Sequence, residues 1–304
     1  MGFPPLLVIV GQTAVGKTEL SLKLAKRFNG EIISADSRLF YRGMDIGTAK
    51  PSVSERQGIP HHLIDVCEPD ETLTLGDYQS RVNLIIADCH SRGKLPMLVG
   101  GTGQYVKAVV EGWGIPRVVP HFDLRHELEK IEGAELGRWL QMLDPIAAEK
   151  LDARNVRRVI RALEVTLVSG VPISQLQSKT PPHWKILTIG LYREREELYA
   201  RIDQRVDWML ENGLQAEVRS LLAAGYHWKL PAMSGLGYRQ FQPYFDQESS
   251  LADVVERIKF ETHRFSRQQN NWFSRENKTI DWIDAASENV VDAAVVNVES
   301  LLTV

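Results

Sequence analysis

The chain has 304 residues, 43% of them hydrophobic and 25% charged, with a net charge of −3. This is enough chain for one large or two moderate domains with a real core, and the slightly acidic balance excludes wholesale coating of nucleic acid but not a local basic groove. Two cysteines without metal or disulfide spacing point to a reducing cytoplasm, and no segment has the make-up of a membrane span or a signal peptide.

Leu6 to Val10 is a short apolar run that reads as a buried strand. It ends at Gly11-Gln12-Thr13-Ala14-Val15-Gly16-Lys17-Thr18, the spacing of a phosphate-cradling loop. The glycines let backbone N–H groups close around phosphate oxygens, Lys17 adds a point charge, and Thr18 offers a hydroxyl to Mg²⁺. Glu19 to Arg27 follows as a helix, with Leu20 and Leu24 at helical spacing. By itself the motif reads as an ATP-binding site, but it does not say which di- or triphosphate is held.

Glu31 to Ala35 reads as a second strand, His62 to Val66 as a third and Leu95 to Val99 as a fourth, with a helix over Tyr78 to His90 before the last. Alternation of this kind implies a parallel sheet flanked by helices, with ligands at the carboxyl ends of the strands. Gly11, Asp36 and Gly100 all fall at such ends. Between Ala35 and Pro51, Arg38, Arg42 and Lys50 interleave with Phe40 and Tyr41, a mixture suited to phosphate contact and base stacking. The fourth strand ends in Gly100-Gly101-Thr102-Gly103 and carries no metal-holding acid, which argues against a motor or switch ATPase.

Glycines and prolines from Gly112 to Pro120 mark a linker, and His121 to Ser178 reads as nearly all helix. Within it, Leu151 to Val168 has two faces. Val156, Val159, Ile160, Leu163 and Leu167 take core spacing, and Arg154, Arg157, Arg158 and Arg161 form an opposite ridge that Asp152 and Glu164 can only partly neutralise. Lys185 to Tyr192 is a further strand, followed by helical stretches over Glu194 to Ala224 and Ser250 to Phe273. Arg264, Arg267, Gln268, Gln269, Asn270, Trp272, Phe273 and Arg275 form a second basic, amide and aromatic cluster, with Ile258, Phe265, Trp272 and Phe273 suited to pack inward. The layout is an α/β core over residues 1–115 and 183–304, interrupted by a helical insertion over 116–182.

The glycine loop, Asp36-Ser37-Arg38, the string Tyr41 to Pro51, Gly100 to Gly103, Arg157 to Val165, Gly237-Tyr238-Arg239 and Trp272-Phe273 together resemble the tRNA dimethylallyltransferases. The resemblance runs over nearly the whole chain. It implies a P-loop-kinase-like parallel sheet with a tRNA-binding helical insertion. It also implies transfer of a dimethylallyl group from dimethylallyl diphosphate to N6 of the adenosine 3′ of the anticodon, in tRNAs reading codons that begin with U. It further implies that diphosphate is released and that Mg²⁺ is the cofactor; a monomer is the default expectation, since the sequence does not give the oligomeric state.

By the same resemblance, Gly11 to Thr18 hold the diphosphate, Arg239 is a further contact to it, and Asp36 takes the proton of the adenine amine. Thr102 orients the adenine or closes the channel. Contacts to tRNA fall at Asp36, Ser37, Arg38, Leu39, Thr102, Arg125, Arg157, Arg158, Val159, Ile160 and Arg161. The chain departs from the family pattern at Phe40, Asn155, His263 and Gln268. Two other functions fit the glycine loop alone: a P-loop kinase of small metabolites, and a nucleotide-gated RNA-binding switch.

Overall fold

The computed structural model describes residues 3–303. Strands β1 (Pro5–Gly11), β2 (Gly30–Ser34), β3 (His61–His62), β4 (Leu95–Gly100), β5 (Lys185–Tyr192) and β6 (Asp281–Asp284) form one parallel sheet in the spatial order β3-β2-β4-β1-β5-β6. Helices α1 (Lys17–Arg27), α2 (Leu75–Ser91) and α3 (Gly103–Val110) follow β1, β3 and β4. The described residues divide into two compact units, 1–107 with 183–304, and 108–182. The second unit starts inside α3, ahead of the glycine- and proline-rich stretch where the boundary was expected.

Strand β1 is central, and Leu6 to Val10 are fully buried on both of its faces. Leu7 and Ile9 join a core with α1, while Leu6, Val8 and Val10 alternate onto the other side. A strand covered on both faces must be continuously apolar, which is why this run carries no polar alternation. The register pairs Val10 with Gly100 of β4 and Gly11 with Leu191 of β5, so three strand ends finish level with one another.

The third strand is much shorter than expected. Only His61 and His62 pair with β2, because Leu63 and Asp65 take positive φ angles of 60° and 57° that end the extended chain. The expected helix over Glu194 to Ala224 is two helices, which together with the preceding insertion complete the numbering as follows. The 108–182 unit contains α4 (Phe122–Glu129), α5 (Gly133–Leu143), α6 (Pro145–Lys150), α7 (Val156–Ser169) and α8 (Ile173–Leu176). The core then continues with α9 (Arg195–Glu211), α10 (Leu214–Ala223), α11 (Gln242–Phe245), α12 (Leu251–Gln269) and α13 (Val290–Leu302). Gly213, at φ 99°, separates α9 from α10. Neither β6 nor α13 stood out in the sequence.

In the 108–182 unit, Leu128, Leu136, Leu140, Val159, Ile160 and Leu163 make the core. Leu167, expected among them, is 46% exposed, and in that last turn of α7 it is Val165 and Thr166 that are buried, Thr166 accepting the Ile173 N–H. Asn155 caps α7 by accepting the Arg158 N–H, a role in which Asn and Asp are equivalent. Glu164 lies fully buried in this core. Its carboxylate accepts from Arg125 Nε and Nη2 at 2.8 Å each, from Arg161 Nη1 at 2.5 Å and from the His121 N–H at 2.7 Å. Burial opposes ionisation, but the two arginines and the backbone donor outweigh it and hold the Glu164 carboxyl at about 2 instead of 4.5.

A carboxyl held below its ordinary range stabilises the fold above pH 4.5 and loses that contribution as pH falls toward 2. Glu164→Gln should therefore lower stability at neutral pH by about 2–4 kcal/mol, because it leaves two guanidinium groups facing a neutral amide. The gap between the parent and the variant in urea midpoint should be constant from pH 8 to 5 and close on further acidification. A gap that does not change with pH would show that packing, not charge, is what Glu164 supplies.

Candidate active site

The glycine loop leaves β1 through Gly11, where φ is 145° and a Cβ atom would sit 2.5 Å from the Leu191 carbonyl oxygen. It enters α1 through Gly16, at φ 116°, with no side-chain cap on the helix. Among the described residues, the backbone N–H groups of Gly16, Lys17, Thr18 and Glu19 have no acceptor. That cluster of free donors at a helix N-terminus is an anion site. Two arginines hold the loop from behind: Arg201 Nε donates to Ala14 O at 2.9 Å and Arg193 Nε to Val15 O at 3.1 Å. Ala14 is thereby fixed at φ 63°, unusual for a residue with a side chain.

Lys17 folds over the loop and donates to Gly11 O at 2.9 Å and Gln12 O at 2.7 Å. Burial lowers its ammonium to about 8; Asp36 opposes the shift and Arg205 adds to it. An incoming diphosphate would reverse the effect, since an opposite charge favours the protonated lysine.

Two further loops converge here from β2 and β4. Asp36 follows the end of β2, with Oδ1 accepting the Arg38 N–H at 3.0 Å. Thr102 follows β4; its N–H donates to Ala35 O at 3.2 Å and its hydroxyl accepts the Ser37 N–H at 3.4 Å. Gly100 fits only because its Cα lies against the Ala35 backbone, where a Cβ would meet the carbonyl oxygen at 2.2 Å. From α12, Gln269 ties the loops together. Its Oε1 accepts the Thr13 N–H at 2.8 Å and its Nε2 donates to Gly101 O at 3.0 Å.

These elements line one cavity of about 1260 Å³, whose wall includes Thr13, Asp36, Thr102, Arg205, Arg239 and Trp272. Arg205 is the functional candidate that sequence reasoning missed. It sits on α9 among buried Ile202, Val206 and Met209, and a charged residue beside a helix's apolar stripe is the signal that marks it. Arg239 reaches the cavity while paired to Glu261 through Nη2 at 2.5 Å. Arg38 donates to Pro231 O at 3.0 Å. Leu39 and Ser37 are half-buried in the same loop. Phe265, expected to pack inward, is 39% exposed and lines the cavity instead.

The stretch from Phe40 to Pro51 has a different role from the one its composition suggested. Phe40 and Tyr41 are buried, and Phe40 packs against Tyr78 and Tyr105 with ring centroids 5.6 Å away in each case. Lys50 pairs with Asp45 and Asp65 and donates to Tyr41 O, and Arg42 pairs with Glu68. Glu217 accepts the N–H groups of Asp45, Ile46 and Gly47 and the Tyr238 hydroxyl. A Cβ at Gly47 would meet the Tyr238 ring at 2.6 Å. These residues brace the loop that carries Asp36 and leave no aromatic face or free cation for RNA.

On α7, Arg157 and Arg158 are exposed and have no side-chain partner among the described residues. Arg154 pairs with Asp152, while Arg161 and Arg125 are engaged by Glu164. Val159 and Ile160 are 1% and 4% exposed, so their side chains offer nothing to a ligand and belong to the core.

Thr18 stands exposed in the first turn of α1. The one group of three potential metal ligands among the described residues is elsewhere, at Glu31, His62 and Cys89. There Arg92 donates to both Glu31 oxygens, and burial pushes the Cys89 thiol up to about 11, so the cluster is an ion-pair site. A cation at Thr18 would thus have one protein hydroxyl and take its other oxygens from phosphate and water, an arrangement Mg²⁺ commonly adopts.

The IPP transferase family profile matches residues 39–276. A protein of Roseiflexus castenholzii named tRNA dimethylallyltransferase is 56% identical over 89% of this chain and 90% of its own length. A protein of Herpetosiphon aurantiacus with the same name is 54% identical, over 90% and 88%. Among solved structures, the full-length tRNA isopentenylpyrophosphate transferase of Bacillus halodurans is 38% identical with a TM-score of 0.72, and 98% of each chain is covered. A eukaryotic dimethylallyltransferase acting on tRNA is 28% identical with a TM-score of 0.87, over 98% of this chain and 79% of that one. The parallel sheet, the helical insertion and the loops around Asp36 are thus those of a transferase, and the chain belongs to the IPP transferase family.

Proposed function

We propose that the protein transfers the dimethylallyl group of dimethylallyl diphosphate to N6 of the adenosine 3′ of the anticodon, in tRNAs reading codons that begin with U. It acts as a cytoplasmic monomer. The observation that carries this reading is that Thr13 and Ala14 of the glycine loop line one cavity with the Asp36 carboxylate, and Asp36 is near enough to Lys17 to act on its charge, which keeps a diphosphate and a proton acceptor close to one reacting centre. The kinase alternative needs a metal-holding acid at the end of β4, where Gly100, Gly101 and Thr102 stand instead.

In the reaction, the bond between C1 of the allyl group and the diphosphate oxygen breaks as N6 of adenine bonds to C1. The N–H groups at the head of α1, Lys17 and Arg205 stabilise the charge that builds on the leaving diphosphate, and Arg239 does so once it turns from Glu261. Thr18, with the diphosphate oxygens, would hold Mg²⁺, which when bound neutralises part of that charge. Asp36 accepts the N6 proton, and Thr102 orients the base beside it. Adenine must leave its stack to reach them, at a cost of a few kcal/mol. The free guanidinium groups of Arg157 and Arg158 suit RNA phosphates. Arg125 and Arg161 contribute by shaping the same unit through Glu164, with one-third of each side chain still exposed.

Incubation with tRNA, Mg²⁺ and dimethylallyl diphosphate, without ATP, should yield N6-dimethylallyl-adenosine on nucleoside mass analysis. A requirement for ATP, or no change in adenosine mass, would overturn the reading. Asp36→Asn should lower kcat by about 10²–10⁴, the usual range for a lost general base, with tRNA affinity nearly intact.

The depressed Lys17 ammonium sets a pH limit. Its charge in the free enzyme is lost as pH rises through about 8, so kcat/KM for the donor should fall above that pH. In Lys17→Arg the cation persists, and the alkaline limb should disappear from whatever activity remains. A limb unchanged in that variant would assign the titration to another group.

Gln269→Leu should weaken use of the donor, lowering its kcat/KM by about tenfold or more as the Thr13 and Gly101 backbones lose their common partner. Binding of tRNA, measured on filters, should hold. Equal losses in both would make Gln269 a general stability residue.

A further inference from the structure

A second, smaller cavity of about 370 Å³ opens beside the glycine loop, between the end of β5, the start of α9 and the end of α12. Its volume lies within the range of about 300–1,000 Å³ usual for small-ligand sites. The wall shares Gly11 and Gln12 with the base of the glycine loop and Gln269 with the larger cavity, while Asp36 and Thr102 line only the larger one.

The cations of this wall are in excess. Arg193 is fully engaged by Val15 O, Ala285 O and Glu197. Arg195 and Arg267 are not. Arg267 Nη1 donates to the Tyr199 hydroxyl oxygen at 2.8 Å and Arg195 Nε to the same atom at 3.4 Å. Two guanidinium groups thus meet at one phenol, with no carboxylate joining them among the described residues. Arg275 lies 3.9 Å from the Tyr192 ring centroid, and its nearest acid, Glu194, is 3.8 Å away and 78% exposed. Burial alone would raise the Tyr199 phenol, yet the hydrogen bonds from Arg267 and Arg195 bring it below its ordinary value.

Trp282 lines the cavity, but its Nε1, without an acceptor among the described residues, is buried from it. One further feature of the wall favours an anion. The N-terminus of α9, a helix of 17 residues, opens here with no side-chain cap, and its dipole favours an anion. The aromatic rings are already covered, Tyr192 by Arg275 and Tyr199 by His263 stacked at 4.0 Å. The hydrogen-bonding groups that remain in the wall are the guanidinium groups of Arg195, Arg267 and Arg275, so the chemistry selected is that of a phosphate group.

We propose that this cavity is a second phosphate site, built by Arg195, Arg267 and Arg275 and distinct from the free N–H groups at the head of α1. Two sources offer that chemistry: free inorganic diphosphate, which the reaction proposed above releases, and a backbone phosphate of RNA. The site follows from the wall itself and stands whichever phosphate ester the glycine loop holds.

Equilibrium dialysis with radiolabelled inorganic diphosphate separates the sources. If the ligand is free diphosphate, the parent binds a second equivalent that Arg195→Ala/Arg267→Ala loses and Lys17→Ala keeps. Filter binding of an anticodon stem-loop RNA is the other arm. If the phosphate is RNA's, the double variant binds this RNA several-fold more weakly, with a shallower salt dependence, while diphosphate stoichiometry is unchanged. Both arginines are exposed, so their loss should spare the fold, and Arg275→Ala provides an independent variant for the same measurements. If neither diphosphate stoichiometry nor RNA affinity changes in either variant, the proposal is overturned.

Discussion

The catalytic cavity depends on one side-chain amide. A parallel sheet brings its strand ends to one edge, but it does not fix the loops that continue from them. Gln269 does so, accepting the Thr13 N–H and donating to Gly101 O from a helix that lies more than 160 residues further along the chain. An amide is suited to this because it offers an acceptor and a donor on one rigid plane. Gly101 is needed for the same reason, since a Cβ there would come within 2.3 Å of Gln269 Nε2.

Around that bridge, side-chain hydrogen bonds and ion pairs brace the loops, while the sheet is joined by its backbone ladders. Glu217 organises three successive N–H groups and Tyr238, and Lys50 joins a carbonyl to two carboxylates. The result is a rigid support for Asp36, whose own side chain makes only a local contact to the Arg38 N–H. A carboxylate that is to exchange a proton with substrate benefits from a fixed backbone and a free second oxygen.

The helical unit uses the same economy. Its buried Glu164 takes four hydrogen bonds from three separate residues, so Arg161 of the basic ridge, together with Arg125 of α4, is engaged by internal structure. Arg157 and Arg158 are exposed, with no side-chain partner among the described residues. One ridge of four arginines thus contains residues of two kinds, distinguished by the acid each can reach.

Much of this was legible in the residues alone. The glycine loop, Asp36 at a strand end, Thr102 in a glycine turn and the alternation of strands and helices all depend on local backbone geometry or short spacing, and such signals survive without tertiary information. The string from Gly43 to Pro51 was legible as a pattern but not as a role, because charged and aromatic residues have the same letters whether they face RNA or each other. The strand over Asp281 to Asp284 is too short and polar to show itself, and the run from Leu63 to Val66 looks extended until positive φ angles interrupt it. Gln269, Arg205 and the convergence of Arg195 with Arg267 on Tyr199 were decided only by the fold. Their partners lie far away in sequence or on neighbouring elements, and no spacing rule records which helix face will be brought against which loop.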